Sequence, residues 1–271
     1  MSIKLWIGGT SGATTSYSTA ANWSPSGVPS AADHVYIKRN HQGTLYDIDG
    51  GLNQSAIDLA SFTVGMDYTG KIGSSSAYLQ IRSADITIGQ RSALSNETGP
   101  TRLKLDVGDA EASIINVYGT ASVSTDSNTS SMQIIGGSTY THTLNVLSGS
   151  VGICSLLSNE TGKFNLFLPE SSQGSAPHVI IGEGTTLVLF EMARGLVIDQ
   201  GHAGDISQLK MSGGELRCYK SAAYTNLDLI NNSKLLWNSD DQLTTVHVGS
   251  GSVFDLSGDP RSKTITTLKL H

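Results

Sequence analysis

The chain has 271 residues, a formal net charge of −6 and only 15% charged side chains. Gly, Ser and Thr contribute 30, 38 and 25 residues, about a third of the total, and Cys occurs twice. Glycine without a three-residue period excludes a collagen-like chain, and two cysteines exclude a disulfide framework. The acidic balance disfavours nucleic acid as a partner, and the lack of any run of roughly 20 apolar residues predicts that the chain does not enter a membrane.

Residues 1–45 differ from the rest of the chain in composition. They contain two of the three tryptophans, Trp6 and Trp23, and the short apolar run at the start stops at two consecutive glycines. So short a run predicts that no secretory signal peptide is present. Bulky side chains such as these are expected where the end of a stacked β-structure must be closed.

Short strands are predicted along the remainder of the chain. One pattern recurs, an apolar–polar–apolar trio that in most cases is followed closely by glycine, so that two side chains share one face of a strand and a turn follows. Helical periodicity is nearly absent, and residues 53–59 give the best helical candidate. The trios lie at residues 62–64, 86–88, 103–107, 115–117, 132–134, 144–146, 178–180, 209–211, 227–229, 246–248 and 268–270.

The spacing of the trios predicts the architecture. Ile88 and Val107 are 19 positions apart, the last four trios recur every 18–22 positions, and the string LSNETG occurs at residues 94–99 and 157–162. A unit of about 20 residues is typical of one coil of a parallel β-helix, in which stacked coils bury apolar columns. A β-sandwich or a propeller is the competing architecture, but a propeller blade needs about 40 residues.

We therefore predict an all-β protein, a right-handed single-stranded parallel β-helix with an N-terminal cap. Residues 1–45 are predicted to form the cap or attachment segment, and residues 46–271 the solenoid of coils of about 20 residues. The apolar strand at residues 265–271 has no polar closing segment, so we expect an open end there that is available for docking. Cys154 and Cys218 lie in strand-like segments and are predicted to be buried free thiols.

The N-terminal segment carries the most specific motifs. It reads W-x-G from Trp6, A-x-N-W-S over residues 20–24, G-V-P over residues 27–29 and D-x-V-x-I over residues 33–37. This order resembles the opening segment of Gly/Ser/Thr-rich parallel β-helix proteins of tailed bacteriophages and bacterial surface adhesins. Residues 64–73 and 77–81 also resemble phage structural proteins of this type, and over the remaining chain the resemblance extends only to the architecture.

The resemblance implies a non-enzymatic virion protein that decorates or cements the capsid after assembly in the host cytoplasm. Its expected partners are the major capsid protein and further copies of itself, with a trimer as the specific model, and neither nucleic acid nor membrane. No cofactor and no metal ion are expected. Trp6, Trp23, Pro29 and Asp33 are the candidate interface residues. The alternatives are a tail fibre or tailspike that binds or cleaves host glycan, and the passenger of a bacterial adhesin.

Catalysis would require two carboxylates on one face of neighbouring coils. With 23 acidic residues in the chain, some such pairs are expected by chance, so we predict no catalytic residue. The glycine–histidine motif at residues 201–204 and the acidic pair at residues 240–241 are interpreted as turns. His142 and His247 alternate with apolar residues and are expected to face solvent. The acidic pairs considered are Asp106 with Asp126, Asp228 with Asp240 or Asp241, and Glu183 with Asp205.

Overall fold

The fold is known from a computed structural model. The structure describes residues 1–38, 46–68, 70–74, 77–89, 102–119, 132–154, 159–171, 175–202, 204, 206–219 and 223–271. Every statement below about what is present or absent refers to these residues. The first copy of the LSNETG string and the beginning of the second copy, at positions 157 and 158, lie outside them.

The described residues form an all-β solenoid built from two long sheets. Sheet A has 13 strands and sheet B has 10, and a single 3-10 turn at Ala20–Asn22 is the one helical element described. The strands of sheet A are β1 (Ile3–Trp6), β2 (Trp23–Ser24), β3 (His34–Ile37), β5 (Ser61–Val64), β7 (Asp85–Ile88), β9 (Ile114–Val117), β11 (His142–Val146), β13 (Gly162–Leu168), β15 (Thr185–Met192), β17 (Ile206–Met211), β19 (Tyr224–Leu229), β21 (Leu243–Val248) and β23 (Ile265–Leu270). The strands of sheet B are β4 (Asn53–Leu59), β6 (Leu79–Ser83), β8 (Leu103–Asp106), β10 (Met132–Ile135), β12 (Ser150–Ile153), β14 (His178–Ile181), β16 (Leu196–Asp199), β18 (Glu215–Cys218), β20 (Lys234–Trp237) and β22 (Val253–Asp255).

From β4 onward the chain alternates between the two sheets, so that each coil adds one strand to each of them. The sequence-adjacent coils pair in parallel, and β2 is the exception because it pairs antiparallel with β1. Parallel strands of a sheet lie about 4.8 Å apart, so the twelve parallel strands of sheet A make a rod about 50 Å long. This arrangement confirms the parallel β-solenoid that the sequence predicts.

The coils are not of one length. Leu209 pairs with Leu227 and Leu227 with Val246, so the short spacing predicted for the last trios is that of one coil. In the N-terminal half the steps are longer, since Ile86 pairs with Ile115 of the next coil. The spacing from Ile88 to Val107 therefore does not measure a coil: Ile88 pairs with Val117 in sheet A, whereas Val107 follows a strand of sheet B.

Columns of apolar side chains fill the space between the sheets. In sheet A one column runs from Val35 to Val246 and a second from Ile37 to Met211, and their members are almost completely buried. Each fully buried Val, Leu, Ile or Phe side chain contributes roughly 1.5–3 kcal/mol. Because a coil cannot bury its own inward face, this gain is realised only when coils stack in register.

Two expectations about individual elements were wrong. Residues 53–59, expected as the best helix, form strand β4, whose pairing with β6 shifts register between Gln54 and Asp58. His142, expected to face solvent, is fully buried, and its Nδ1 atom accepts a hydrogen bond from the backbone N–H of Ser113 at 3.2 Å. At residues 53–59 the stacking of coils overrides the local pattern, whereas period-2 alternation places His142 on the same face as Leu144 and Val146, so its burial follows from the strand pattern itself.

The prediction for the two cysteines is confirmed, since Cys154 and Cys218 are both buried and free. Burial raises the pKa of the Cys154 thiol to about 12. On β23, Leu268 and Leu270 are 49% and 73% exposed although their counterparts in the preceding coil face inward. Within the described part of the chain, no helix has the length and apolar character needed to cross a membrane.

Replacement of Val146 by Asp tests the inward register. Val146 is fully buried and lies in register with Val117, so a carboxylate there would be buried without a partner. We expect a loss of more than about 3 kcal/mol, enough to prevent folding. Far-UV circular dichroism and thermal melting measure the effect. Thr143→Asp, on the outward side of the same strand, is the matched control, and a well-folded Val146→Asp protein would contradict the register.

A second test concerns acid stability. Burial, opposed only in part by Asp109 and Asp106, lowers the pKa of His142. Below the unfolded-state value of about 6.5 the unfolded chain takes up a proton that the native state resists, so stability falls as the pH decreases. We expect His142→Asn, which keeps an acceptor for Ser113, to reduce the drop in Tm between pH 7.5 and 5. His271→Asn is the exposed control and should leave the drop unchanged.

Candidate functional site

The predicted interface tryptophans lie inside the N-terminal end of the solenoid. Trp6 and Trp23 are 2% and 1% exposed, are register partners of β1 and β2, and meet edge to face with ring centroids 5.1 Å apart. Tyr17 packs on Trp23 at 4.8 Å in the same way. The indole N–H of Trp23 donates to the carbonyl oxygen of Tyr17 at 2.7 Å. These rings are packed against one another, so they are not available for stacking on an external ligand.

Asn22 explains why the segment reads A-x-N-W-S. Its side chain is fully buried and donates to the carbonyl oxygens of Ala13 and Ser16 at 2.7 and 2.9 Å. Its Oδ1 atom accepts the backbone N–H of Thr10 at 2.9 Å. One amide group thus holds the whole loop that covers the two tryptophans. The W-x-G motif has a related cause, because Gly8 has a φ of +57° and a Cβ there would lie 2.5 Å from Tyr46.

The carboxylate of Asp33 links Ser2, just before β1, to Ser30 in the loop before β3. Its carboxylate accepts hydrogen bonds from the backbone N–H and hydroxyl groups of Ser2 and Ser30 at 2.8–3.0 Å. Burial favours the neutral acid, but these four donors outweigh it and hold the pKa of Asp33 well below its usual range. Pro29 is buried beside this turn. The structure therefore brings all four predicted residues to one end of the molecule, with each of their side chains buried.

The glycine–histidine motif contributes to the core. Asp199 is fully buried in one inward column of sheet B, at the position that Ile181 occupies in the preceding coil. It accepts hydrogen bonds from the backbone N–H and Nδ1 of His202 at 3.0 and 2.5 Å, and from the hydroxyl of Tyr224 at 3.0 Å. Burial, reinforced by Cys218 and Asp199, raises the pKa of Tyr224 well above its usual value. This cluster is a buried polar network that fixes a turn, and within it the Nε2 atom of His202 has no hydrogen-bond partner among the described residues.

The acidic side chains that were considered as catalytic pairs contact basic side chains or belong to pairs with a member outside the described residues. Asp228 contacts His247, with 2.9 Å between Oδ1 and Nδ1, and Asp240 contacts Arg261 at 2.6 Å. Asp126 and Asp205 lie outside the described residues. No group of three or more His, Cys, Asp or Glu side chains within the described ranges is arranged to hold a metal ion.

A groove of about 600 Å³ lies on the outer face of sheet A, at the carboxyl ends of β13 to β23. We call it the lateral groove. Two adjacent rows of outward side chains form it, one carrying charges and one carrying small or apolar residues. The side chains that define it are Phe167, Glu191, Lys210, Asp228, Ile230 and His247.

The charged row of the lateral groove alternates in sign from coil to coil. Glu191, Lys210, Asp228 and His247 are successive register partners. Lys210 contacts Glu191 with 3.5 Å between Nζ and Oε1, and Asp228 contacts His247. These side chains remain 34–50% exposed, so each pair keeps free lone pairs or N–H groups toward the groove. Exposed pairs of this kind add little stability.

Sequence reasoning did not find the lateral groove. Glu191, Lys210, Asp228 and His247 each come from a different coil, and a motif search within one segment does not detect such a row. A search at the coil period, applied to the residue in the middle of each apolar–polar–apolar trio, would have found it. The expectation that His247 lies on the outer face agrees with its position in this row.

Comparison with protein-family models, with curated proteins and with solved structures gave no significant match. The class that the two stacked parallel sheets define is the β-solenoid.

The role of Asn22 can be tested by Asn22→Ala. The substitution removes three hydrogen bonds and leaves two carbonyl groups and one N–H without that partner, which we expect to cost about 2–4 kcal/mol. Urea unfolding and limited proteolysis within the segment 1–30 provide the measurements. Asn53→Ala, on an exposed position of β4, is the control. An unchanged midpoint for Asn22→Ala would show that the loop is held by other contacts.

Proposed function

We propose that this protein is a non-enzymatic structural component of a bacteriophage particle, a decoration or cement protein on the capsid surface. In this proposal it binds the major capsid protein and associates with itself, with a trimer as the specific model. The solenoid is right-handed, as parallel β-crossover connections almost always are. Residues 1–45 act as the cap and attachment segment.

The observation that carries the proposal is the rigid rod itself. The apolar columns lock successive coils together, and the outer rows are polar and partly bonded to one another, as between Asn145 and Asn116 at 2.9 Å. A rod of this kind transmits load and holds contacts at fixed distances without a conformational change. The N-terminal motifs that resemble phage β-helix proteins support the same function.

Contact with another protein is supported by exposed apolar side chains at the β22–β23 end of the solenoid. Val253, Leu268 and Leu270 are 49%, 49% and 73% exposed, and Phe254 and Ile265 beside them are only partly covered. Exposed apolar side chains in one place are typical of protein contact surfaces. We propose that these exposed side chains contact another copy of the chain, while residues 1–45 form the attachment segment.

Antibody labelling of purified particles whose genome encodes this chain tests the proposal. We expect label over the head surface, and we expect particles that lack the protein to lose DNA at a lower temperature. Label confined to the tail tip would favour the tail fibre or tailspike alternative. Absence from particles, together with attachment to a cell surface, would favour the adhesin alternative. Either result contradicts the capsid proposal.

A further inference from the structure

We propose that the lateral groove binds the lateral groove of a second copy of this chain, with the two solenoids packed side by side in opposite directions. The two-fold axis lies in the plane of contact, runs parallel to the strands and passes between the coils of β17 and β19. This inference goes beyond the proposed function, which places a contact between copies at the β22–β23 end. A two-fold contact at the groove doubles whatever unit that end forms, so the two contacts are tested separately.

The charged row of the groove continues by one residue on each side. Phe167 precedes it as the register partner of Glu191, and Lys269 follows it as the register partner of His247. Neighbouring members lie one coil apart, at about 4.8 Å. The extended row therefore reads aromatic, acidic, basic, acidic, basic, basic. Its six members in chain order are Phe167, Glu191, Lys210, Asp228, His247 and Lys269.

Reversal of this order places acidic side chains opposite basic ones. With the axis between β17 and β19, Lys210 of each copy lies opposite Asp228 of the other, so this pair forms twice. One coil further out, Glu191 lies opposite His247, again twice. The four side chains are 34–50% exposed, and their contacts within one chain therefore leave them free to reach a second copy. Complementary charges of this kind select the orientation and the register of a protein contact.

Other arrangements of the same two faces bring like charges together. If the solenoids were parallel, every member of the row would meet its own counterpart, so that Lys210 would face Lys210 and Asp228 would face Asp228. If the solenoids were antiparallel with the axis on the coil of β17, Glu191 would face Asp228. Like charges that face each other across a contact cost free energy. Only the axis between β17 and β19 opposes acidic and basic side chains at both the central and the next positions.

The second row of the groove complements itself in shape. Ala193, Ser212, Ile230 and Gly249 follow successive strands of sheet A, and the backbone N–H of each donates to a carbonyl group of the coil before it. Ile230 is 46% exposed and protrudes from this row. The reversal that pairs the charges also places Ile230 opposite Ser212 and Ala193 opposite Gly249. A large side chain thus meets a small one, which is the condition for close packing at the centre of an interface.

The size of the face predicts a reversible contact. The groove covers five coil steps, about 24 Å, and the six-residue strands β17, β19 and β21 make it about 20 Å wide. Two such faces bury an area at the low end of the range for specific protein contacts. At each end the ring of Phe167 lies opposite the ammonium group of Lys269, where a cation–π contact is favourable. We expect a Kd in the micromolar range, about 1–100 µM.

Sedimentation velocity of the full chain over the same range of concentration tests the contact. We expect the mass to double as the concentration rises. Lys210→Glu and Asp228→Lys each oppose like charges at two symmetry-related places, so each should weaken association by about a hundredfold. An equimolar mixture of the two variants should associate again, because every central contact of the mixed dimer joins an acidic to a basic side chain.

Lys234→Glu is the matched control for these variants. Lys234 lies on the outer face of sheet B, is 45% exposed and contacts Glu215 at 3.6 Å. Lys210 is 50% exposed and contacts Glu191 at 3.5 Å, so the two substitutions make the same change in equivalent surroundings. The control should associate as the wild type does. Equal melting temperatures establish that the variants are folded.

The orientation is tested with a short bis-maleimide crosslinker. Phe167 and Lys269 are about 24 Å apart in one chain but lie opposite each other in the antiparallel pair. A protein that carries both Phe167→Cys and Lys269→Cys should form crosslinked dimers, whereas neither single variant should. The native Cys154 and Cys218 are buried, so they do not compete for the reagent.

Four results would overturn the proposal. They are a mass that does not change with concentration, association that the two charge reversals leave intact, a mixture of the two variants that does not associate, and crosslinked dimers of a single cysteine variant. These measurements use the purified chain without a capsid. Absence of the protein from the head surface would contradict the proposed function and leave the paired grooves unaffected.

Discussion

The structure depends on one constraint, the registered stacking of apolar side chains between two parallel sheets. No single coil can bury its inward face, so each coil is stable only because of the coils before and after it. The columns that include Val146 and Leu209 continue through coils of different length. The inward positions stay aligned although the coils differ in length.

A buried carboxylate or amide group is tolerated between the sheets where several hydrogen bonds satisfy it. Asp199 interrupts a column of isoleucines, yet four donors satisfy its carboxylate. Asn22 acts in the same way at the N-terminal end, where its amide holds the loop that covers Trp6 and Trp23. In both cases the buried polar group specifies a turn that apolar packing alone would leave undetermined.

Much of the fold could be predicted from the sequence because the apolar trios report the inward face directly. The trios at Met211, Leu229 and Val248 are true register partners. Strand β4 was missed because its pairing contains a register shift, which disguises the period-2 pattern. The burial of His142 could have been predicted, because alternation puts it on the same face as Leu144 and Val146, and only its hydrogen bond with Ser113 depends on a residue distant in sequence. For the same reason the lateral groove, whose members come from successive coils, was outside the reach of local motifs.

Variation in coil length has a further consequence for how such a molecule can change in evolution. Whole coils can be gained or lost, because the two faces that meet at the junction are equivalent. Deletion of one residue inside a strand is not tolerated, because it would turn the later inward side chains of that strand toward solvent. The length of the rod thus changes in steps of about 4.8 Å, while the number of residues in a coil varies. The length of the rod and the length of the chain can therefore change independently of each other.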